Sequence, residues 1–394
     1  MRTKIYITLL LLMIAWGCKK AYNPKISGSS PTGYLVVDGV IGTGQDSTVI
    51  RLSRTVPLSS VQRSKPELGA TVTVLTDGGS SFLLTETGNG YYSTPGLNLT
   101  SPGKYGLKIV TSNGKVYQSD LIPATNSPAI DSVYYKIKNN GVQIYADTHD
   151  PGNSSRYYRW DFTETYEIHS QFDSHEYYTH VPFDTVLPRP IQNQIYTCWV
   201  SAGSPNILLN SSAKLSRDII TGNPITFMPL TSLKVANRYT ILVKQYALTS
   251  DAFNYFQQLK KNSEQLGSIF DAQPSELPGN IHCVSNPAEH VLGYITAGST
   301  SESRIFIDRR NLPASPTDNP YAGCMLDTLL YQRAVGAALV NEVQEYIYTR
   351  FQDPVDPISK PGSPTILGYT ASSPECVDCT LRGTNVKPSF WVDE

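Results

Sequence analysis

The densest group of side chains able to hold a metal or move a proton is His169, Asp173, His175, Glu176 and His180. His175-Glu176 followed by His180 falls one residue short of matching H-E-x-x-H, in which two imidazoles four apart on a helix share a zinc ion. The extra residue matters. Five positions along a helix turn through about 140° at 3.6 residues per turn, and on a strand they face opposite sides. Only a loop could gather the two imidazoles, so the patch reads as a solvated loop first and a weak metal candidate second. No cofactor is expected. Nucleophile and phosphate motifs are missing: G-x-S-x-G is absent, and Gly203-Ser204-Pro205 lacks its context. Neither G-x-x-x-x-G-K-[ST] nor G-x-G-x-x-G follows a strand. Glu342 and Glu345 have the spacing of a solvated helix face. Glycosidase carboxylates come from distant positions, so a hydrolase stays open as a third reading.

Sulfur chemistry is more informative. Arg2 and Lys4 precede an apolar run from Ile5 to Trp16, broken only by Thr8; Gly17-Cys18 closes it and Lys19-Lys20 follows. The run is too short for a bilayer core, which needs roughly 20 residues of helix. Its flanks suit a cleaved export signal over 1–17. Ala15-Trp16-Gly17-Cys18 resembles the lipobox of bacterial lipoproteins, which implies that Cys18 is acylated and becomes the new N-terminus. Each buried methylene contributes about 0.8 kcal/mol, and two or more chains anchor stably. Membrane lipid is therefore an expected partner.

Five cysteines remain: Cys198, Cys283, Cys324, Cys376 and Cys379. Export allows disulfides to persist, and an odd number leaves at least one thiol unpaired within the chain. Cys376-Val377-Asp378-Cys379 has no second C-x-x-C and no histidine at ligand spacing, so zinc is the weaker reading. The expectation is that Cys198 and Cys324 pair with Cys376 and Cys379 in some order, leaving Cys283 free.

The elements that must position these groups are mainly strands. Charged residues are 16 % of the chain, against about 25 % in ordinary soluble proteins, while Tyr, Gly and Pro are abundant. A net charge of −1 gives no electrostatic case for nucleic acid as a partner. Residues 18–32 read as a lipidated polar tether, spanning roughly 20 Å as a coil. From 33 to 123 short strands and turns suit an Ig-like β-sandwich: Ala70 to Leu75 alternates polar and apolar, and Asp77-Gly78-Gly79 offers a turn. The stretch from Ala70 to Ile109 resembles carboxypeptidase regulatory-like and transthyretin-like modules, which implies a scaffold. Pro123 to Pro128 marks a junction. Beyond it, 126–394 reads as a larger β-rich domain in which Tyr158, Trp160 and Phe162 alternate inward. One clear helix is expected at about 250–266, capped by Ser250-Asp251 with Phe253, Phe256, Leu259 and Leu266 on one side. Residues 332–350 read either as a second helix or as strand. The pairs Tyr91-Tyr92, Tyr134-Tyr135, Tyr157-Tyr158 and Tyr177-Tyr178 each place one ring inward and one toward a binding surface.

Several stretches together carry a resemblance. They are Tyr34-Leu35-Val36-Val37-Asp38-Gly39, Tyr246-Ala247-Leu248-Thr249, Gly267-Ser268-Ile269-Phe270-Asp271-Ala272-Gln273-Pro274, Val291-Leu292-Gly293-Tyr294, Pro374-Glu375-Cys376-Val377-Asp378-Cys379 and Lys387-Pro388-Ser389-Phe390-Trp391. The chain resembles the Bacteroidota outer-membrane lipoprotein family called domain of unknown function 4249, typically encoded beside TonB-dependent receptors. That resemblance implies an outer-membrane, lipid-anchored accessory of a TonB-dependent nutrient transporter, non-enzymatic, with the leaflet it faces left open. An adhesion or envelope-scaffold protein is the alternative. Asp46-Ser47-Thr48, Asp131-Ser132-Val133, Asp184-Thr185-Val186 and Asp327-Thr328-Leu329 resemble the phylum's three-residue O-glycosylation sites, making Ser47, Ser132, Thr185 and Thr328 candidates.

Overall fold

The computed structural model describes residues 33–57, 60–61, 64–99, 103–264, 277–314 and 321–393. The expected signal over 1–17, Cys18 and the tether over 18–32 lie outside them. The chain is mainly β, as expected.

The first unit is one long bent sheet. Its order runs Val116–Ser119, Lys104–Val110, Thr71–Thr76, Ser81–Gly88, Tyr91–Thr94, Thr48–Arg54, Leu35–Gly42. Ser81–Gly88 pairs on both sides, and the two halves close over a single core. Leu35, Ile50 and Leu52 meet Val72, Leu107 and Ile109 there, all fully buried. The period-two pattern of Thr71–Thr76 causes this, since only alternate residues can reach the interior.

The expected division at 123/126 needs correction. Residues 281–298 return to the first unit: Ile281–Cys283 pairs with Val116–Ser119, while Val291–Leu292 and Thr296–Gly298 run parallel to Leu35–Gly42. Two glycines make the return feasible. A Cβ on Gly293, which sits at φ +127°, would lie 2.0 Å from the Val37 carbonyl, and one on Gly279 would lie 1.9 Å from the Gly293 carbonyl. No other residue tolerates both that backbone and that approach. A charged lock closes the segment: Glu289 meets Lys115 Nζ at 2.5 Å, the Tyr117 hydroxyl at 2.6 Å and Arg54 Nη1 at 3.6 Å.

The second unit is a true two-sheet sandwich. Ile130–Lys138, Gly141–His149 and Ile219–Pro229 form one sheet. Its first hairpin turns through Asn139 and Asn140, both at positive φ, as a two-residue turn requires. The other sheet runs Thr197–Gly203, Tyr157–His169, Arg238–Leu248, Thr300–Asp308, with Leu208–Ser211 also on the long strand. Tyr158, Trp160 and Phe162 point between the sheets, as the alternation predicts. Buried Gln245 ties them together, accepting from Trp160 Nε1 at 2.9 Å and donating to Pro128 O and Thr148 Oγ1. Both its N–H donors and its carbonyl oxygen have partners, which offsets the cost of its burial.

Among the described residues, the chain passes between the two units at Thr125 and at Ser299. The Thr125 hydroxyl donates to Ala247 O at 2.7 Å, and Ser127 N donates to Ser299 Oγ at 3.0 Å. Such a junction is far stiffer than one linker.

On the outer face of the second sheet lies the helix Ser250–Glu264, close to the expected span. Residues 265 and 266 lie outside the described residues. The Arg159 guanidinium sits over the Tyr246 and Phe256 rings, at 4.6 and 4.7 Å, pinning helix to sheet.

A third, smaller unit was not anticipated. Asp327–Leu330, Ile366–Ser372 and Asp353–Ser359 form its sheet, beside the hairpin Glu176–Thr179 and Thr185–Pro188. Its core holds Val186, Leu329, Val343, Ile347, Tyr369 and Ala371. The helix reading of 332–350 is corrected here. Arg333–Val335 and Ala338–Val340 form a hairpin turning at Gly336, φ +62°, and only Val343–Ile347 coils, as a π-turn. The strand reading holds over 333–340, where Val335 and Leu339 are exposed. Gly336 at positive φ, as the first residue of the two-residue turn Gly336-Ala337, favours the hairpin.

Candidate functional site

Where the second sheet ends, a polar cleft of about 370 Å³ opens, lined by Glu167, Ala236, Asn237, Arg238, Asp308, Arg309, Arg310, Trp391 and Asp393. The register explains the convergence. Tyr166 pairs with Tyr239, and Arg238 pairs with Asp308, so Glu167, Arg238 and Asp308 lie in one row across three strands. The 3-10 turn Arg309–Asn311 follows at once, capped by the Asp308 side chain. Asp308 also accepts from Arg310 Nε at 3.1 Å. Asn237 donates to the Glu167 carbonyl at 3.2 Å.

The C-terminal stretch supplies the cleft's wall. Trp199 and Thr384 exchange backbone hydrogen bonds of 2.8 and 3.0 Å, laying the tail along the sheet. Trp391 packs edge-on to Trp199 and Phe306, with centroids at 6.1 and 5.9 Å. The Arg238 guanidinium lies 5.1 Å over Phe306, and Arg304 lies 3.9 Å over Phe390. Aromatic faces thus hold these cations in fixed planes.

Cysteines fasten the tail and the third unit to this sheet. Cys198 is bonded to Cys379 and Cys324 to Cys376, while Cys283 is free and buried. The pairing set matches the sequence reading, and the structure resolves the order.

The histidine patch does not converge. His169 Nε2 meets Glu167 Oε1 at 2.8 Å and its ring stacks on Tyr196. His175 turns to solvent and meets Asp356 Oδ1 at 2.8 Å and Asp173 Oδ2 at 3.6 Å. The Asp356 hydrogen bond raises the His175 pKa. Glu176 is buried, and loss of hydration raises its carboxyl. His180 is exposed beyond the Glu176–Thr179 strand. Among the described residues no group of three or more His, Cys, Asp or Glu is placed to hold a metal.

Ser47 and Thr328 are exposed, whereas Ser132 and Thr185 are half-buried, Ser132 within a strand. Of the tyrosine pairs, Tyr92 and Tyr158 are fully buried and Tyr91 is exposed. Tyr134 stacks on Tyr145 at 5.5 Å.

Sequence reasoning missed the arginine cleft. Its one local signal was the doublet Arg309-Arg310 directly after the apolar Arg304 to Ile307 strand, together with the Phe390-Trp391 ending.

Comparison with known proteins gives a family and remote structural likenesses. No curated protein matches. Among solved structures, the chain is similar to a two-domain fibronectin type-III segment of chicken tenascin. They share 12 % identity, covering 54 % of this chain and 90 % of that one at a TM-score of 0.15. It is also similar to the FN1–FN3 domains of chicken CNTN1, at 15 % identity, 56 % and 64 % coverage and a TM-score of 0.18. The match thus spans just under two thirds of that segment. At these scores neither bears on function. A family model described as Domain of unknown function (DUF4249) matches residues 19–304. With well over half of its length matched, the chain belongs to that family.

Proposed function

We propose that this protein is a non-enzymatic, lipid-anchored accessory of a TonB-dependent outer-membrane transporter, binding or gating a nutrient. The observation that carries the reading is the order of parts along the chain. An apolar run ends at Gly17-Cys18, a polar stretch follows, and the first described strand is Leu35–Gly42. Among the described residues no helix is long and apolar enough to cross a membrane; the attachment proposed is through acyl chains on Cys18. The hydrogen-bonded junction at Thr125 and Ser127 suits a body that must present its far end at a fixed distance from its anchor. Ligand binding falls to the cleft between Arg238, Arg309 and Trp391, whose volume is in the usual range for small-molecule sites, about 300–1,000 Å³. The test is purification from native membranes in mild detergent after gentle crosslinking. A large β-barrel is expected to co-purify with the tagged protein. Recovery free of any barrel contradicts the proposal.

A further inference from the structure

We propose that the third unit pairs with a second copy of this chain, through an aromatic patch at the tip of the hairpin Glu176–Thr179 and Thr185–Pro188. The patch is built around one ring. Tyr178 stacks on Tyr348 with centroids 5.3 Å apart, donates its hydroxyl to Asp184 Oδ1 at 2.6 Å, and has the Arg350 guanidinium 5.7 Å from its centroid. Val181 and Phe183 lie in the turn that joins the two strands, and Phe351 follows Arg350; they are 67 %, 68 % and 68 % exposed. Apolar side chains gathered in water on one surface mark a contact site, and Tyr, Phe and Arg are the types that anchor one. The backbone agrees. Arg350 holds φ +61°, which few residues other than glycine adopt, and such strain is kept where a side chain must be presented in one place.

Charge selects the occupant. The patch carries an exposed anion, Asp184, and an exposed cation, Arg350, and among the described residues neither has an ion-pair partner. They flank the same tyrosine, one at its hydroxyl and the other over its ring. A twofold axis close to Tyr178 sets Arg350 of each copy against Asp184 of the other, the reciprocal contact that an isologous interface requires. Position permits the pairing. At one end of the long strand, Tyr157 pairs with Leu248 beside the junction with the first unit. Past its other end, Gln171 N and Phe172 N donate to the Cys376 carbonyl. The third unit therefore lies at the end of the second sandwich remote from the first unit. Copies held through the anchor proposed above would carry their third units at one height, side by side; the pairing itself does not depend on that anchor.

The experiment is sedimentation of the full mature chain in mild detergent over a concentration series, for wild type, Arg350→Asp and Asp184→Arg, each alone and the two variants mixed. Wild type is expected to dimerise, less tightly as salt rises. Each single swap sets like charges together and is expected to weaken its own dimer by about tenfold or more. An equimolar mixture of the two is expected to recover a dimer of near wild-type affinity, because each variant supplies the charge that the other now faces. Aspartate also tolerates positive φ better than arginine does, and unchanged far-UV dichroism shows that the fold survives. Should either single variant unfold, the double swap in one chain, expected to dimerise like wild type, replaces the mixture. A wild type that stays monomeric, a dimer indifferent to both swaps, or folded variants that stay monomeric when mixed overturns the inference. Loss of the co-purifying barrel in Arg350→Asp, with wild type monomeric, gives the patch to the barrel instead, which overturns the pairing and leaves the transporter role standing.

Discussion

Replacing Cys198 and Cys379 together by serine is expected to destabilise the protein by about 2–5 kcal/mol and to loosen the third unit and tail from the second sheet. The bridge spans 181 residues of sequence, so in the unfolded chain it removes the freedom of a very long loop. Both sulfurs are essentially buried, and changing both leaves neither partner's thiol to reshuffle. Cys376, three residues earlier, holds the same short helical segment to Cys324. The two bridges thus converge on residues 374–381 from opposite sides. Losing Cys198–Cys379 leaves the tail held to that sheet by the Trp199–Thr384 backbone hydrogen bonds and by Trp391 packed on Trp199 and Phe306. Limited proteolysis is expected to cut within 321–393 well before the sandwiches, with a lowered thermal midpoint. Wild-type protection of that region would show that the bridge is not what fastens it.

Glu289→Ala is expected to cost about 1–3 kcal/mol, because it removes the acceptor of the buried Tyr117 hydroxyl and the carboxylate that meets Lys115. The Glu289 and Arg54 side chains are 4 % and 5 % exposed. Removing the carboxylate leaves Arg54 with Glu67, at 2.7 Å, and takes from Lys115 its closest anion. The returning segment 281–298 loses its lock with it.

The same group sets a pH dependence. Burial alone would raise the Glu289 carboxyl, but hydrogen bonds from Lys115 and Tyr117 and the nearby charges of Lys115 and Arg54 outweigh it and hold the pKa below the ordinary value. A depressed folded pKa means stability that is fully present above the unfolded value, about 4.3. It is lost as pH falls through the folded value. Thermal midpoints between pH 7 and pH 3 are expected to fall more steeply for wild type than for Glu289→Gln. Parallel curves would remove Glu289 from the account.

Much of the β architecture was legible because period-two alternation survives in half-buried strands. Tyr158, Trp160 and Phe162 faced inward as their spacing required, and the aromatic positions of Ser250–Glu264 placed its helix. Cysteine chemistry was legible as a set, though only folding could order it. The return of 281–298 was not legible. Parallel pairing of Thr296–Gly298 with Leu35–Gly42 joins distant stretches of the chain that no local pattern connects. The 333–340 hairpin was hidden by apolar residues whose spacing suits a helix, until Gly336 at positive φ decided the turn. The cleft escaped for a related reason. Its arginines are unremarkable singly, and only the register of Arg238 with Asp308 sets them beside a tail from the end of the chain.

The proposed role depends on acyl chains at the start of the mature polypeptide, and mass spectrometry of the N-terminal peptide from native membranes tests this most directly. The expected result is a peptide beginning at Cys18 and carrying fatty acyl groups. An unmodified N-terminus at any other residue would contradict it.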